Sequence, residues 1–506
     1  MMALYSLLQE GAAQCTAIAG LDRRDLNYED LRRLVEHTVV TLNQCGIGRG
    51  DRVAIVLPNG PEMATAFVSI ACGASTAPLN PAYQRSEFEF YLSDLGARAL
   101  LVEAGSTSPA IEVARERSLP VITMDVDAVT AGGFALLPPS DLARDRSVQT
   151  PAFARDGDVA LVLHTSGTTS RPKIVPLTHT NICASAANIR STLKLTADDR
   201  CLNVMPLFHI HGLMAGIVAS LSAGASVFCT PAFNALRFFA WLEAAAPSWY
   251  TAVATMHQAI LSRARHNAEI IEKSSLRFIR SSSSSLPSQV MRALEETFDA
   301  PVIEAYAMTE AAHQMTSNPL PPAERKPGSV GIAAGPDVAI MHEKGTILAA
   351  GEVGEVVIRG ANVTPGYENN AAANRENFTR GWFRTGDQGV MDGEGYLTIT
   401  GRLKEIINRG GEKISPREVD DVLMDHPAVA QVVTFAMPHD KLGEEVGAAI
   451  VLEEGSDASE TDIRSFAAQR LARFKVPRTV VFVDEIPRGA TGKLQRIGLA
   501  EKLGLG

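Results

Sequence analysis

The run Thr165-Ser166-Gly167-Thr168-Thr169-Ser170-Arg171-Pro172-Lys173 constrains this chain more than any other stretch of it. It follows Val159-Ala160-Leu161-Val162-Leu163-His164, an apolar segment that reads as a buried strand. A hydroxyl-rich loop with a glycine, placed at a strand end, suits phosphates. Hydroxyls and free backbone N–H groups donate to phosphate oxygens, and Lys173 supplies a point charge. The G-x-x-x-x-G-K-[ST] order of a Walker loop is absent. Composition alone would also fit a plain Ser/Thr-rich turn. The ordered T-S-G-T-T-x-x-P-K pattern is far more particular than a turn requires.

Around this loop the pattern alternates between helix and strand, which predicts an α/β fold. Tyr28 to Leu42 reads as an amphipathic helix, and Val53 to Leu57 as a strand ended by Pro58. Gly212 to Cys229 has no charged residue over 18 positions and imitates a membrane span. Its glycines and serines, and the Ala223-Gly224-Ala225-Ser226 turn, predict instead a buried helix followed by a buried strand. Val218 to Ser226 also echoes Phe67 to Ser75, and each reaches a proline soon after, which fits two similar α/β subdomains and equally a chance likeness of small-residue packing.

The pattern restarts after Gly401. Ser415-Pro416-Arg417-Glu418 reads as a capping box with proline at the first helical position. Val429 to Phe435 and Val446 to Leu452 read as strands, and Thr461 to Lys475 as a helix. These elements predict a separate small domain. The expected division is 1–402 for a large N-terminal domain and 403–506 for a mobile C-terminal one, as 506 residues exceed one core.

Charge excludes one class of partner. The net charge of −10 leaves no basic excess for a nucleic acid. Six scattered cysteines without a C-x-x-C argue against a disulfide framework or zinc site and fit a reducing cytoplasm. The start, Met1-Met2-Ala3-Leu4-Tyr5, has no basic region of a secretory signal, and Gly504-Leu505-Gly506 is not a peroxisomal S-K-L. A cytoplasmic protein, monomer or homodimer, is expected.

The loop resembles the phosphate loop of the adenylate-forming synthetases, the superfamily of acyl-CoA synthetases, luciferase and nonribosomal adenylation domains. Gly46 to Val53 and Pro58-Asn59-Gly60 are similar to its N-terminal region. From the loop onward, Pro206 to Gly212, Tyr306 to Glu310, Thr385-Gly386-Asp387, Gly401 to Lys404, Asn408 to Ser415 and Gly492-Lys493 follow in family order. The loop departs from the family in one place: Ile174 stands where glycine is usual, and a β-branched residue resists positive φ.

The resemblance implies a large α/β domain of similar subdomains plus a small mobile α+β domain, and a two-step reaction using ATP, Mg²⁺ and CoA. A carboxylate is a poor acyl donor, so attack on the α-phosphorus of ATP first converts it to an acyl adenylate, with pyrophosphate leaving. That step needs phosphate clamps, a metal and a nearby cation. The resemblance assigns ATP to Thr165, Ser166, Gly167, Thr168, Thr169, Ser170 and Lys173, and Mg²⁺ to Glu310 and Thr168. It puts Thr309 on the α-phosphate and stacks Tyr306 on adenine, with Glu304 and Ala305 beside it and Ser283 to Leu286, including Ser285, opposite. Asp387 would accept from the ribose hydroxyls and Arg402 would reach the ribose or α-phosphate. Lys493, between the attacking carboxylate and the α-phosphate, would be the main catalytic cation, with Thr309, Glu310 and His209 as further catalytic residues. Lys404 would be the hinge, and Arg409, Gly410, Gly411 and Lys413 would meet CoA after the small domain turns.

Read without the resemblance, most of these residues have ordinary fates. Tyr306 fits a core aromatic, Glu310 a carboxylate at a helix start, Thr385-Gly386-Asp387 and Gly410-Gly411 plain turns, and Lys404 solvated surface.

Polar residues stand where an acyl group would sit: His209 with His211, five serines from Ser281 to Ser285, and His313 three after Glu310. A helix starting near Thr309 would make Glu310 and His313 neighbours. Such donors suit a second carboxylate on a very small acid. With Asn408 to Pro416 and Thr316 to Pro321, the constellation resembles the oxalyl-CoA synthetases, and His209, Ser283 and His313 become the expected substrate contacts. Malonate, a medium-chain fatty acid or transfer to a carrier protein remain open. The His209-Ile210-His211-Gly212 likeness to the H-I-G-H of tRNA-charging enzymes is set against the acidic balance and the missing lysine-rich motif. A dead binding module conflicts with retained Lys173, Glu310, Asp387, Arg402 and Lys493.

Overall fold

The computed structural model describes residues 3–165, 172–487 and 496–505. The expected positions Ser166, Gly167, Thr168, Thr169, Ser170 and Lys493 lie outside the described residues. Among the described residues the strands form four sheets.

A seven-stranded sheet runs in the order Phe134–Leu137, Val121–Val126, Ala99–Glu103, Arg52–Val56, Ser75–Pro78, Val159–His164, Ile174–Thr178. Its centre is parallel and its two edge pairs are antiparallel. A nine-stranded sheet is likewise parallel at its centre, through Ser226–Cys229, Arg200–Asn203, Trp249–Ala252, Phe278–Ser282 and Val302–Met308. Buried parallel strands explain the near-continuous apolar runs. One core joins both sheets through helices Tyr28–Gln44, Pro61–Ala71, His179–Thr192 and the segment from His211 to Ser222.

The apolar stretch after Gly212 is a π-helix, His211–Val218, continued by Ala219–Ser222 and the strand Ser226–Cys229. Gly212 is required by close approach, since a Cβ there would stand 2.4 Å from the Pro206 carbonyl oxygen. No described helix is long and apolar enough to cross a membrane. The internal echo falls on the same helix–turn–strand unit in each large sheet, Pro61–Ala71 to Ser75–Pro78 and Ala219–Ser222 to Ser226–Cys229.

A third sheet, antiparallel, carries Asp337–Met341, Val353–Arg359, Phe378–Thr379, Trp382–Met391 and Leu397–Arg402. The fourth is built wholly from residues after Lys404: Ile407–Arg409, Glu412–Ile414, Val429–His439, Gly443–Leu452 and Thr479–Phe482. It has its own core, with Val419, Leu423, Val446, Ile450 and Ile463.

Three local expectations need correction. Thr461 to Lys475 is not one helix. Glu460–Ala468 is helical, capped by Ser459 and Asp462, and Arg473–Lys475 is a separate 3₁₀ turn. Leu471 and Phe474 are drawn onto the C-terminal core on either side of Ala472, whose extended backbone breaks the helix. The Ser415 cap is half a box: Ser415 Oγ accepts the Glu418 N–H at 3.3 Å, but the Glu418 carboxylate turns to Lys475 Nζ at 2.6 Å. No helix follows Thr309. A 3₁₀ turn, Thr309–Ala311, and left-handed Ala312 (φ 47°) reverse the chain so that His313 pairs with Met308 across antiparallel strands. His313 therefore starts the strand His313–Ser317.

Candidate functional site

Strand ends and hairpin turns carry most of the expected site residues. Val159–His164 and Ile174–Thr178 form a hairpin whose neck is closed by Thr165 N–H to the Lys173 carbonyl (3.0 Å) and Lys173 N–H to Thr165 Oγ1 (3.3 Å). Ile174 needs no positive φ. It opens an extended strand opposite His164 and packs into the core.

Beyond that neck lie two carboxylates. Glu310 is buried, and its Oε1 accepts the Tyr367 hydroxyl at 2.7 Å. The Lys173 ammonium stands 4.5 Å above the centre of the Tyr367 ring. Burial raises the Glu310 carboxyl above its ordinary range, opposed by the Tyr367 hydrogen bond and by the Arg402 and Lys173 charges. Tyr367 was not foreseen, and Pro365-Gly366 before it gave only a turn signal. Asp387, also buried, stands opposite Arg402 in the antiparallel register. Arg402 Nε donates to Asp387 Oδ1 at 2.8 Å, and the Tyr306 hydroxyl donates to Asp387 Oδ2. Burial, then the Asp387 charge, pushes the Tyr306 phenol up. Thr309 sits between these groups in sequence, in the 3₁₀ turn that holds Glu310.

Glu304 is buried in the strand Val302–Met308, where its Oε1 accepts the Leu286 N–H at 3.1 Å. Burial pushes its carboxyl up to about 7, against the pull of Arg417 in the small domain. The Ala305 carbonyl accepts the Ser282 hydroxyl at 2.9 Å. These contacts fix the serine segment against the strand that carries Tyr306. Ser285 is exposed.

The histidines meet behind the serine segment. His211 and His313 are fully buried, their rings stacked 4.9 Å apart. Ser283 Oγ lies 3.1 Å from His211 Nδ1, and its backbone is left-handed at φ 72°, an uncommon conformation for a side-chain-bearing residue. His209 joins through the backbone, its Nδ1 accepting the His211 N–H at 3.2 Å. Thr251 and Arg280, which sequence reading passed over, complete the cluster. Their signal was a polar side chain inside a buried strand.

Ser283 and His209 line a cleft of about 1090 Å³ with Met205 and Phe208 on one side and His426 and Glu453 of the small domain on the other. Gln289 Nε2 donates to the Met424 carbonyl at 2.7 Å and ties the two sides together. The expected CoA residues stand apart on the hairpin between Ile407–Arg409 and Glu412–Ile414. Gly410 (φ 59°) and Gly411 (φ 99°) form its two-residue turn, whose twist requires positive φ at both positions. Arg409 Nε is paired with Glu445 at 2.5 Å, and Lys413 is exposed. Lys404 is exposed in the turn after Leu397–Arg402.

The model of the AMP-binding enzyme family matches residues 9–368, and that of the AMP-binding enzyme C-terminal domain matches residues 418–493. The chain belongs to the AMP-binding enzyme family. The chain is 47% identical over 477 residues to an oxalate–CoA ligase of Arabidopsis thaliana, covering 93% of this chain and 92% of that protein. It is 43% identical over 504 residues to an oxalate–CoA ligase of Saccharomyces cerevisiae, covering 94% and 92%. Among solved structures, ATP-bound MatB from Rhodopseudomonas palustris is similar at 26% identity, with a TM-score of 0.88 and 99% of each chain covered. Two domain-wide family matches in the expected order make the adenylate-forming fold a property of the chain, with its large mixed α/β region followed by the small C-terminal domain.

Proposed function

We propose that this protein is an ATP-dependent acid–CoA ligase that activates oxalate. A carboxylate oxygen attacks the α-phosphorus of ATP and pyrophosphate departs. The CoA thiolate then attacks the acyl carbonyl and AMP departs, leaving oxalyl-CoA. The polar cluster of Ser283, His211 and His313 at the cleft carries the choice of acid. A fatty or aryl acid offers no second carboxylate to the Ser283 hydroxyl at the cleft. The relatives in Arabidopsis and yeast carry the same activity in their names.

In this reading Tyr306 faces adenine, and Asp387, already oriented by Arg402, accepts from the ribose hydroxyls. Lys173, Thr165 and the loop residues Ser166 to Ser170 take the β- and γ-phosphates, and Thr309 the α-phosphate. Among the described residues no cluster of three acidic, His or Cys side chains offers a self-sufficient metal site. A single buried carboxylate fits Mg²⁺, which is commonly held by one or two carboxylates plus substrate phosphates. Glu310, with Thr168, would hold it there, and the ion supplies charge neutralisation on the phosphates. Lys493 is assigned to the reacting carboxylate, and Arg409, Gly410, Gly411 and Lys413 to CoA. We place the domain boundary after Arg402, giving 1–402 and 403–506, with the hinge at Lys404. Six free thiols, five of them buried, agree with a cytoplasmic enzyme, read as a monomer or homodimer.

Pyrophosphate release with oxalate, malonate, acetate, octanoate and benzoate, with and without CoA, tests the substrate. Oxalate should give the highest kcat/KM. A clear preference for octanoate or benzoate would overturn it. The cleft volume favours a medium-chain acid as the second reading. Comparing free CoA with a phosphopantetheinylated carrier tests the acceptor. Lys404→Pro should spare single-turnover pyrophosphate release and slow thioester formation, because it fixes φ at the hinge.

A further inference from the structure

Arg280 is fully buried at the centre of the strand Phe278–Ser282, and among the described residues no carboxylate pairs with it. Burial brings its guanidinium down only to about 10, so it stays charged at neutral pH. Nη2 donates to Gln314 Oε1 at 3.2 Å, and Nη1 stands 3.5 Å from His211 Nε2. A buried cation without a carboxylate is costly unless something else answers its charge.

The Arg280 contact bears on the tautomer of His211. A guanidinium can only donate. His211 Nε2 must therefore accept, and the ring proton belongs on Nδ1. Thr251 Oγ1 lies 2.7 Å from the same Nε2, where its hydroxyl can share that lone pair. His211 Nδ1–H then donates to Ser283 Oγ at 3.1 Å. With its oxygen already accepting from His211, the Ser283 hydroxyl hydrogen is directed elsewhere, and Ser283 lines the cleft. The stacked His313 ring holds the His211 plane.

We propose that Arg280 is a specificity-determining positioning residue: through His211 it presents the Ser283 hydroxyl as a donor to the second carboxylate of a dicarboxylic acid, the one that is not adenylated. The inference rests on the dicarboxylate reading above. A monocarboxylic acid loses its charge on adenylation and offers this donor no anion. A dicarboxylic acid keeps one, near the buried cation.

Two measurements test it. In protein labelled with ¹⁵N-histidine, the imidazole spectrum of His211 should be that of the Nδ1–H tautomer, assigned by loss of the signal in His211→Asn. An Nε2–H or doubly protonated ring would overturn the proposal. In the second, the oxalate-to-acetate ratio of kcat/KM is compared in the wild type, Arg280→Gln and Arg280→Lys. The ratio should fall about ten- to a hundredfold in Arg280→Gln, the worth of one hydrogen bond tied to a charge, and mainly through the KM for oxalate. Arg280→Lys should recover part of it, and His211→Asn, whose amide N–H can replace Nδ1–H, should hold more of the ratio than His211→Gln. An unchanged ratio in Arg280→Gln would overturn the relay. If that variant does not fold, the tautomer in the wild type decides. A wild type that prefers acetate or octanoate removes the oxalate reading, while the tautomer still reports on the relay itself.

Discussion

Around Asp387 and Glu310 the hydroxyls and cations face carboxylates: Tyr306 and Arg402 meet Asp387, and Tyr367 meets Glu310 with Lys173 over its ring. Around Arg280 the buried cation meets Gln314 and His211, and among the described residues no carboxylate pairs with it. The first region is close to charge balance and offers oxygens that accept hydroxyls. The second holds an excess of donors and positive charge, which favours an anion. The ribose chemistry and the anion chemistry proposed above thus fall in two regions, one with buried carboxylates and one where no carboxylate pairs with the cation among the described residues.

The largest effect should come from the cation assigned to the point where the two chemistries meet. Lys493→Ala should slow adenylation on the order of 10²–10³-fold, the worth of one preorganised charge. Thioester formation from synthetic acyl adenylate and CoA should be largely spared, and equal loss in both assays would assign Lys493 a folding role instead. Asp387→Ala comes next. It strips Tyr306 and Arg402 of their acceptor, and the KM for ATP should rise about ten- to a hundredfold while that for oxalate changes little. Ser283→Ala should do the converse, raising the KM for oxalate about tenfold with little change for ATP. If both variants move both constants together, the two regions do not act separately.

An effect outside both regions concerns Glu304, the carboxylate nearest in sequence to Tyr306. Its folded pKa is raised to about 7, above the ordinary 4.5, so between those values the folded state binds more protons than the unfolded one. Its ionisation therefore lowers stability as pH rises through that window, by at most about 1.4 kcal/mol per pH unit. Denaturant melts of the wild type and Glu304→Gln from pH 4 to 8 should show the Gln variant gaining relative stability up to pH 7 and then levelling. A constant difference across that range would mean that Glu304 is not held neutral by its surroundings.

Much of the fold was legible because local rules and burial agreed. The helix expected from Tyr28 spans Tyr28–Gln44, and the strand before Thr165 is Val159–His164, as its apolar run required. The stretch from Gly212 to Cys229 divided into helix and strand at the small-residue turn, although its π-helical winding left no mark in the periodicity. His313 was misread as the next surface position on a helix. A four-residue reversal between two paired strands is decided by the partner strand, and the periodicity of the segment does not contain the partner. Tyr367, Thr251 and Arg280 stayed invisible for a related reason: each matters through a neighbour remote in sequence.

The ordered motifs by themselves determined the family, and with it ATP, Mg²⁺ and CoA, and the succession of a large α/β region and a small one, since these depend on residue type and spacing along the chain. Which carboxylate faces which cation was decided by the tertiary structure. Strand register sets Asp387 against Arg402, chain reversal carries His313 onto His211, and sheet burial leaves Arg280 charged beside an imidazole. Electrostatic energy depends on distance and local dielectric, and neither exists for the chain until the sheets have closed over these groups.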